Sequence, residues 1–168
     1  MGFFRHIVVL CPTLKWNTTY KSRPWILSDP EVYLVNPGER LHDWLEVFFR
    51  QFAGEPTLFI IDDCSAKAAM TQKKHMLSEL AFSGRHADCS VWVLTQKYNS
   101  VLKDFREQLK WVCLFYCKDR DSFEECLREN DVIQSKEERA EVRKKVNKIP
   151  HSKLLLKTDQ PAAYRFIP

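Results

Sequence analysis

Short runs of apolar, β-branched residues alternate with longer amphipathic segments along this chain, and that alternation constrains the fold more than any other feature. The runs at 6–11, 57–62, 89–95 and 111–117 have the length and composition of buried strands. Between the first two, apolar residues recur at helical spacing over 41–52. Apolar strands that alternate with helices are typical of α/β proteins. The sequence therefore predicts an α/β fold in which helices flank a mostly parallel sheet.

The remaining patterns complete a coarse prediction of the elements. A helix is expected over 67–83, and another begins after Ser135, which has the spacing of a helix cap and precedes a highly charged segment. The stretches 153–158 and 163–167 are predicted to form a terminal hairpin. Residues 12–31 are rich in proline, serine and threonine and are predicted to form a loop.

Length and composition favour one globular domain over residues 1–168. Of these residues, 45% are hydrophobic and 29% are charged, which excludes a disordered chain. No apolar run approaches the length of a membrane span, and the first residues lack the pattern of a signal peptide. We therefore expect a soluble, intracellular protein with no membrane contact. The formal net charge of +4 is too small to indicate nucleic-acid binding by itself.

The cysteine pattern points to free thiols. The chain has six cysteines and no C-x-x-C spacing, so a metal site built on sulfur is not expected. Four of them lie in or beside strand-like runs, where a cysteine behaves as a small apolar residue: Cys11, Cys64, Cys89 and Cys113. Buried, reduced thiols fit a reducing compartment.

Two adjacent carboxylates follow the most apolar strand of the chain. Leu58–Ile61 is expected to be buried, and Asp62 and Asp63 then emerge at the carboxyl end, where open parallel sheets place their ligands. One interpretation is a Walker B element, in which Asp62 holds Mg²⁺ through water and Asp63 polarises a water molecule beside a nucleoside triphosphate. The other interpretation is an aspartate-rich strand end that caps the following turn.

Two further polar residues stand near the next predicted strand. Arg85 lies in a turn opened by Gly84, just before that strand, and Gln96 follows its carboxyl end. An arginine at the rim could reach an anionic group on another subunit, and a glutamine there could contact the attacking water or the γ-phosphate. Alternatively, Arg85 is a solvated surface residue and Gln96 a helix cap.

Taken in order, the segments 58–63, 84–86 and 91–96 resemble the viral DNA-packaging ATPases of the FtsK–HerA superfamily. The match is to the poxvirus-type branch, which large double-stranded DNA viruses share with Maverick/Polinton transposons, and it covers roughly residues 6–117. The resemblance implies a RecA-like P-loop NTPase fold of the ASCE type, a homo-oligomeric ring, Mg²⁺ and ATP as cofactors, and ATP-driven movement of double-stranded DNA. It also implies a location in the host cytoplasm or nucleus, or in the virion.

The resemblance assigns roles to the four candidate site residues. Asp62 corresponds to the magnesium-binding acid and Asp63 to the catalytic acid. Arg85 corresponds to an arginine finger offered to a neighbouring subunit, and Gln96 to the sensor.

One motif of that family is not found in this sequence. A P-loop needs G-x-x-x-x-G-K-[ST], but the four glycines, at positions 2, 38, 54 and 84, begin no such motif. By the resemblance, 6–11 corresponds to the strand after the P-loop helix, so the first strand and Walker A are missing. That strand is expected to be central, beside the strand that ends at Asp62. We therefore expect an N-terminally truncated ATPase domain that does not hydrolyse ATP alone.

Two other functions remain open. The chain could be a catalytically inactive remnant that acts as an interaction subunit and caps or poisons an intact ring. It could also be an unrelated α/β nucleotide- or DNA-binding module without a P-loop, in which Asp62 and Asp63 bind a metal.

Overall fold

The computed structural model describes residues 3–64 and 75–168, and the chain divides into two compact units, Met1–Thr95 and Gln96–Pro168. The first unit contains a parallel sheet and the second an antiparallel sheet. Each unit has its own cluster of buried apolar side chains. A single domain over 1–168 stays a prediction.

The first unit is built on four parallel strands. They are β1 (His6–Leu10), β2 (Val32–Val35), β3 (Thr57–Asp62) and β4 (Cys89–Leu94), in the order β2-β1-β3-β4. The predicted mostly parallel sheet is therefore confirmed.

The position expected for a missing strand, beside the strand that ends at Asp62, is wrong. A strand has two hydrogen-bonding edges, and β3 uses one for β1 and the other for β4. Within the described residues, β4 pairs on one side only and is an edge strand.

Four helices are described in the first unit: α1 (Thr18–Lys21), α2 (Pro24–Ser28), α3 (Leu41–Gln51) and α4 (His75–Ser83). Helix α3 confirms the predicted amphipathic segment, since it buries Leu41, Leu45 and Phe48 along one face. The predicted loop over 12–31 instead contains α1 and α2, and β2 was not predicted. The part of the predicted 67–83 helix before residue 75 lies outside the described residues.

Burial differs between the central strand and the edge strand. Leu58, Phe59 and Ile61 of β3 are buried, as the sequence predicts. In β4, however, Trp92 is 55% exposed and Leu94 is 46% exposed, so the prediction of a buried strand there is wrong for these side chains. The reason is that β4 is the last strand of the sheet. The described residues do not cover the face of the sheet on which Trp92 and Leu94 lie.

The second unit contains an antiparallel sheet in the order β5-β6-β7. Its strands are β5 (Trp111–Leu114), β6 (Lys153–Lys157) and β7 (Ala163–Ile167), and the last two confirm the predicted terminal hairpin. Its helices are α5 (Lys103–Arg106), α6 (Arg120–Asn130) and α7 (Lys136–Lys148).

Helix caps and one buried ion pair stabilise the second unit. The Ser135 side chain accepts a hydrogen bond from Glu138 N at 3.2 Å, which confirms the predicted cap of α7. Arg106, 9% exposed, forms an ion pair of 2.6 Å with Glu129, and its guanidinium lies 4.7 Å from the centre of the Tyr98 ring. These contacts tie α5 and the short 3₁₀ turn at Tyr98 to α6.

All six cysteines have free thiols, but their burial is not uniform. Cys11, Cys64 and Cys89 are buried as predicted. Cys113 is exposed, so its predicted burial is wrong; it points to the side of β5 opposite the buried Val112. Among the described residues, no helix is long and apolar enough to cross a membrane.

Candidate functional site

The candidate site lies at the carboxyl edge of the parallel sheet, where β1 and β3 end side by side. Leu10 pairs with Ile61, so Cys11 and Asp62 follow at neighbouring positions. Asp62 is half-buried. Because parallel strands expose their carboxyl ends at one edge, this is the expected place for a ligand in an open α/β sheet.

Asp62 is held by three neutral donors, all of which act on one carboxylate oxygen, Oδ2. The Tyr20 hydroxyl donates at 2.9 Å, Asn17 Nδ2 at 3.4 Å and Cys11 Sγ at 3.7 Å. No described side chain donates a hydrogen bond to Oδ1. One oxygen of this carboxylate is therefore engaged within the protein, and the side chains of the described residues leave the other without a hydrogen bond.

The segment after β1 positions these donors. Asn17 caps α1, since its Oδ1 accepts a hydrogen bond from Thr19 N at 3.0 Å. This cap places Tyr20 in α1, where its side chain is buried against Val9, Cys11 and Ile26. Burial, together with the hydrogen bond to Asp62, raises the pKa of the Tyr20 phenol well above its usual range, so the phenol stays a donor at neutral pH.

Asp63 has an unusual backbone conformation. Its φ is +53°, in the left-handed region that non-glycine residues seldom adopt, and its N–H donates to the Leu94 carbonyl at 3.0 Å. The pairing with β4 thus continues one residue beyond β3. Among the described residues, no hydrogen bond or ion pair reaches the Asp63 side chain.

Cys64 packs beneath the two acids as a structural thiol. Its Sγ donates to the Leu10 carbonyl at 3.3 Å. Burial first, and then electrostatic interaction with Cys11, Asp62 and Asp63, raises the pKa of the Cys64 thiol to about 12. A thiol that stays protonated is a poor nucleophile, so this cysteine does not supply covalent chemistry.

The donor set fits a magnesium ion that is shared with a ligand. Mg²⁺ prefers carboxylate and water oxygens, and proteins usually hold it through one or two carboxylates together with substrate phosphates. Asp62 Oδ1 and the Asp63 carboxylate are oxygens of this kind. The described part of the chain contains no cluster of three or more metal-ligating side chains, so a protein-only metal cage is not present there.

The structure does not bring Arg85 to the two acids within one chain. Arg85 is exposed in a 3₁₀ turn, Gly84–Ala87, that precedes the amino end of β4. The two acids lie at the opposite edge, and a six-residue strand separates the edges by roughly 17–20 Å. An action of Arg85 on this chain's own site is therefore excluded by distance, and its action on a neighbouring subunit stays a prediction.

Gln96 is the first residue of the second unit and is exposed. Along the chain it follows two residues after Leu94, whose carbonyl accepts the Asp63 N–H. Its role as a sensor stays a prediction, as do the catalytic role of Asp63 and the magnesium-binding role of Asp62.

The sequence analysis missed Tyr20, Asn17 and Cys11 as site residues. Two signals were available: the segment follows the carboxyl end of a predicted parallel strand, and Asn17 precedes helix-compatible residues with the spacing of a cap. Its prolines favoured a loop instead.

The fold of this chain matches solved structures of viral genome-packaging NTPases. It is similar to the genome packaging NTPase B204 from Sulfolobus turreted icosahedral virus 2 in complex with AMPPCP, with a TM-score of 0.66 and 16% identity over 99% of this chain and 83% of that one. The DNA-packaging ATPase B204 from Sulfolobus turreted icosahedral virus gives a TM-score of 0.65 and 13% identity over 98% and 82%. At this identity the likeness shows a shared fold, that of the P-loop packaging NTPases, as the sequence predicts.

The family follows from the sequence. Residues 32–153 match the family described as poxvirus A32 protein, and the chain belongs to that family. The matched range contains Asp62, Asp63, Arg85 and Gln96, so the resemblance seen in the sequence is confirmed. A search of the curated proteins gives no match.

Proposed function

We propose that this chain is part of a viral genome-packaging ATPase that couples ATP hydrolysis to the movement of double-stranded DNA. The observation that carries the proposal is the Asp62–Asp63 pair at the carboxyl end of a buried central strand, within the fold of packaging NTPases. Family membership over residues 32–153 supports the same function. Two adjacent carboxylates without a described cationic partner favour a site that is completed by a cation from outside the protein.

In the proposed mechanism the two acids have different tasks. Asp62 would hold Mg²⁺, while Tyr20 holds its Oδ2. The magnesium ion, when bound, offsets the negative charge of the nucleotide phosphates. Asp63 accepts a hydrogen bond from the attacking water and orients it, a task that suits a carboxylate with no described hydrogen-bond partner.

Arg85 and Gln96 complete the proposed site from other positions. Because Arg85 is exposed at the far edge of the sheet, it would act on the nucleotide of a neighbouring subunit, which requires a homo-oligomeric ring. Gln96 would contact the attacking water or the γ-phosphate. We place the working protein in a reducing, intracellular compartment, an assignment that the free thiols support.

A finer proposal concerns activity of the 168 residues alone. None of the four glycines begins a G-x-x-x-x-G-K-[ST] motif, so these residues offer no Walker A backbone to bind phosphates. We therefore propose that the 168 residues do not turn over ATP by themselves. The same observation favours a second candidate, an inactive interaction subunit of a ring.

The test measures Mg²⁺-dependent binding and hydrolysis of a fluorescent ATP analogue. It compares the 168-residue chain with the product of the same reading frame extended upstream. Asp63→Asn is the test variant in both forms. Asp88→Asn is the matched control, because Asp88 has nearly the same backbone conformation, with φ of +54°, but lies at the opposite edge of the sheet.

We expect binding and turnover by the extended form only, with turnover lost in Asp63→Asn and kept in Asp88→Asn. Turnover by the 168 residues alone, abolished by Asp63→Asn, would overturn the finer proposal and retain the ATPase. Binding by neither form would favour the interaction subunit.

A further inference from the structure

The two oxygens of the Asp62 carboxylate have different surroundings. Oδ2 lies within contact of the Tyr20 hydroxyl, Asn17 Nδ2 and Cys11 Sγ, at 2.9, 3.4 and 3.7 Å. A carboxylate oxygen has two lone pairs, so these donors leave Oδ2 little capacity for another partner. Oδ1 receives no hydrogen bond from any described side chain.

The strongest donor, Tyr20, is held in place. Its side chain is 8% exposed and packs against Val9, Cys11 and Ile26. The Asn17 cap fixes the start of α1, the helix that carries Tyr20.

This asymmetry matters for the choice of metal ion. Mg²⁺ requires nearly ideal octahedral geometry and is usually bound through single carboxylate oxygens and water. Ca²⁺ is larger, takes six to eight oxygens and often binds both oxygens of one carboxylate. A carboxylate with one oxygen engaged by the protein can serve the first ion without loss, but it cannot chelate the second through both oxygens.

We propose that Tyr20 is a specificity-determining residue that selects Mg²⁺ over Ca²⁺ by holding Oδ2 of Asp62 and leaving only Oδ1 for the metal. The inference rests on the proposed function, since it takes Asp62 as the magnesium-binding acid. Tyr20 itself does not contact the metal in this arrangement, and it acts through the carboxylate that it orients.

The test uses Tyr20→Phe, which removes the hydroxyl and keeps the aromatic ring. Tyr33→Phe is the matched control, because Tyr33 is a half-buried tyrosine of the same unit whose ring packs against His6, Phe48 and Phe52. Mn²⁺ is titrated, together with a non-hydrolysable ATP analogue, into the ¹⁵N-labelled form of the chain that is extended upstream in the same reading frame, and its paramagnetic broadening of amide signals near residue 62 locates the site. Competition by Mg²⁺ and by Ca²⁺ then gives the ratio of their dissociation constants.

We expect Tyr20→Phe to shift this ratio in favour of Ca²⁺ by about three- to tenfold. This factor corresponds to the net free energy of one hydrogen bond. Tyr33→Phe should leave the ratio unchanged. If Tyr20→Phe does not fold, Asn17→Ser removes a weaker donor while keeping a residue that caps helices, and it should shift the ratio in the same direction by a smaller factor.

An unchanged ratio in a folded variant would overturn this inference and leave the proposed function standing. A different result would affect both: absence of local broadening in the wild-type chain, or broadening that survives Asp62→Asn, would overturn the metal-binding role of Asp62 itself.

Discussion

Acidic residues lie at both ends of the parallel strands, here called the amino edge and the carboxyl edge, but their partners differ. At the amino edge, the His6 ring is 5% exposed and lies between two glutamates, with Nε2 2.7 Å from Glu55 and Nδ1 2.6 Å from Glu31. Arg5 adds an ion pair of 3.0 Å to Glu55. At the carboxyl edge, the described residues offer Asp62 and Asp63 no cationic partner.

This difference distinguishes acids that are paired within the chain from acids for which we propose a cation as ligand. The glutamates at the amino edge contact His6, and Glu55 also pairs with the Arg5 cation, so their partners come from the chain itself. Neutral donors can orient an acid, as Tyr20 orients Asp62, but they do not cancel its charge. Among the described residues, the acids at the amino edge are therefore paired, whereas Asp62 and Asp63 at the carboxyl edge have no cationic partner.

The largest effect is expected at the amino edge, from His6→Ala. The substitution removes a buried ring that stacks on Phe52, with 4.0 Å between ring centres, and leaves Glu31 and Glu55 facing each other. We expect a loss of about 2–3 kcal/mol in the free energy of unfolding, measured by urea denaturation.

The control for this prediction is His42→Ala. His42 lies on α3 with a single carboxylate, that of Glu46, at 4.0 Å. Its replacement should cost less than that of His6, since its one ion pair is at 4.0 Å and its side chain is 18% exposed against 7% for His6. Equal losses in the free energy of unfolding for His6→Ala and His42→Ala would contradict the stabilising role of the contacts between His6 and the two glutamates.

An intermediate effect is expected on the pH dependence of stability. The hydrogen bond from His6, with a further contribution from the Arg5 charge, lowers the pKa of Glu55 from its ordinary value of 4.5. A carboxylate with a lowered pKa in the folded state stabilises the protein above its unfolded-state value, and this contribution is lost as pH falls through the folded-state value. The stability difference between wild type and Glu55→Gln should therefore be largest above pH 4.5 and should narrow as the solution is acidified below it. A difference that is constant with pH would contradict the pairing.

The position of the two acids at the carboxyl ends of the strands could be predicted from sequence because its signals are local. Leu58–Ile61 are apolar enough to indicate a buried strand, and the position of Asp62 and Asp63 after it follows from chain direction alone. The caps and the terminal hairpin were predictable for the same reason, since they depend on residues three or fewer positions apart or on a short turn.

The rest depends on residues that are distant in sequence. Tyr20 donates to Asp62, which lies 42 positions further along the chain. Strand β2 pairs with β1 although residues 11–31 separate the two strands, and nothing in either segment identifies the other as its partner. The exposure of Trp92 likewise follows from the place of β4 at the sheet edge, which strand composition does not reveal. Sequence periodicity identifies strands, but their order in the sheet is a tertiary property.

The smallest effect on stability is expected from a substitution at the carboxyl edge. It should be a gain in the free energy of unfolding, whereas the substitutions at the amino edge cause a loss. Asp63 has φ of +53°, a conformation that glycine adopts without steric cost, so Asp63→Gly should raise the free energy of unfolding by up to about 1 kcal/mol. Asp88→Gly, at φ of +54°, should give a similar gain, since the backbone reason is the same.

The two glycine variants should differ in ligand binding. Asp63→Gly removes a carboxylate from the candidate metal site and should weaken Mn²⁺-induced broadening near residue 62, whereas Asp88→Gly should leave it unchanged. A chain that becomes more stable and binds its cation less well would show that Asp63 is retained against a backbone preference for glycine. If Asp63→Gly instead destabilises the fold, the Asp63 side chain contributes to stability, and the carboxyl edge resembles the amino edge more than the present geometry indicates.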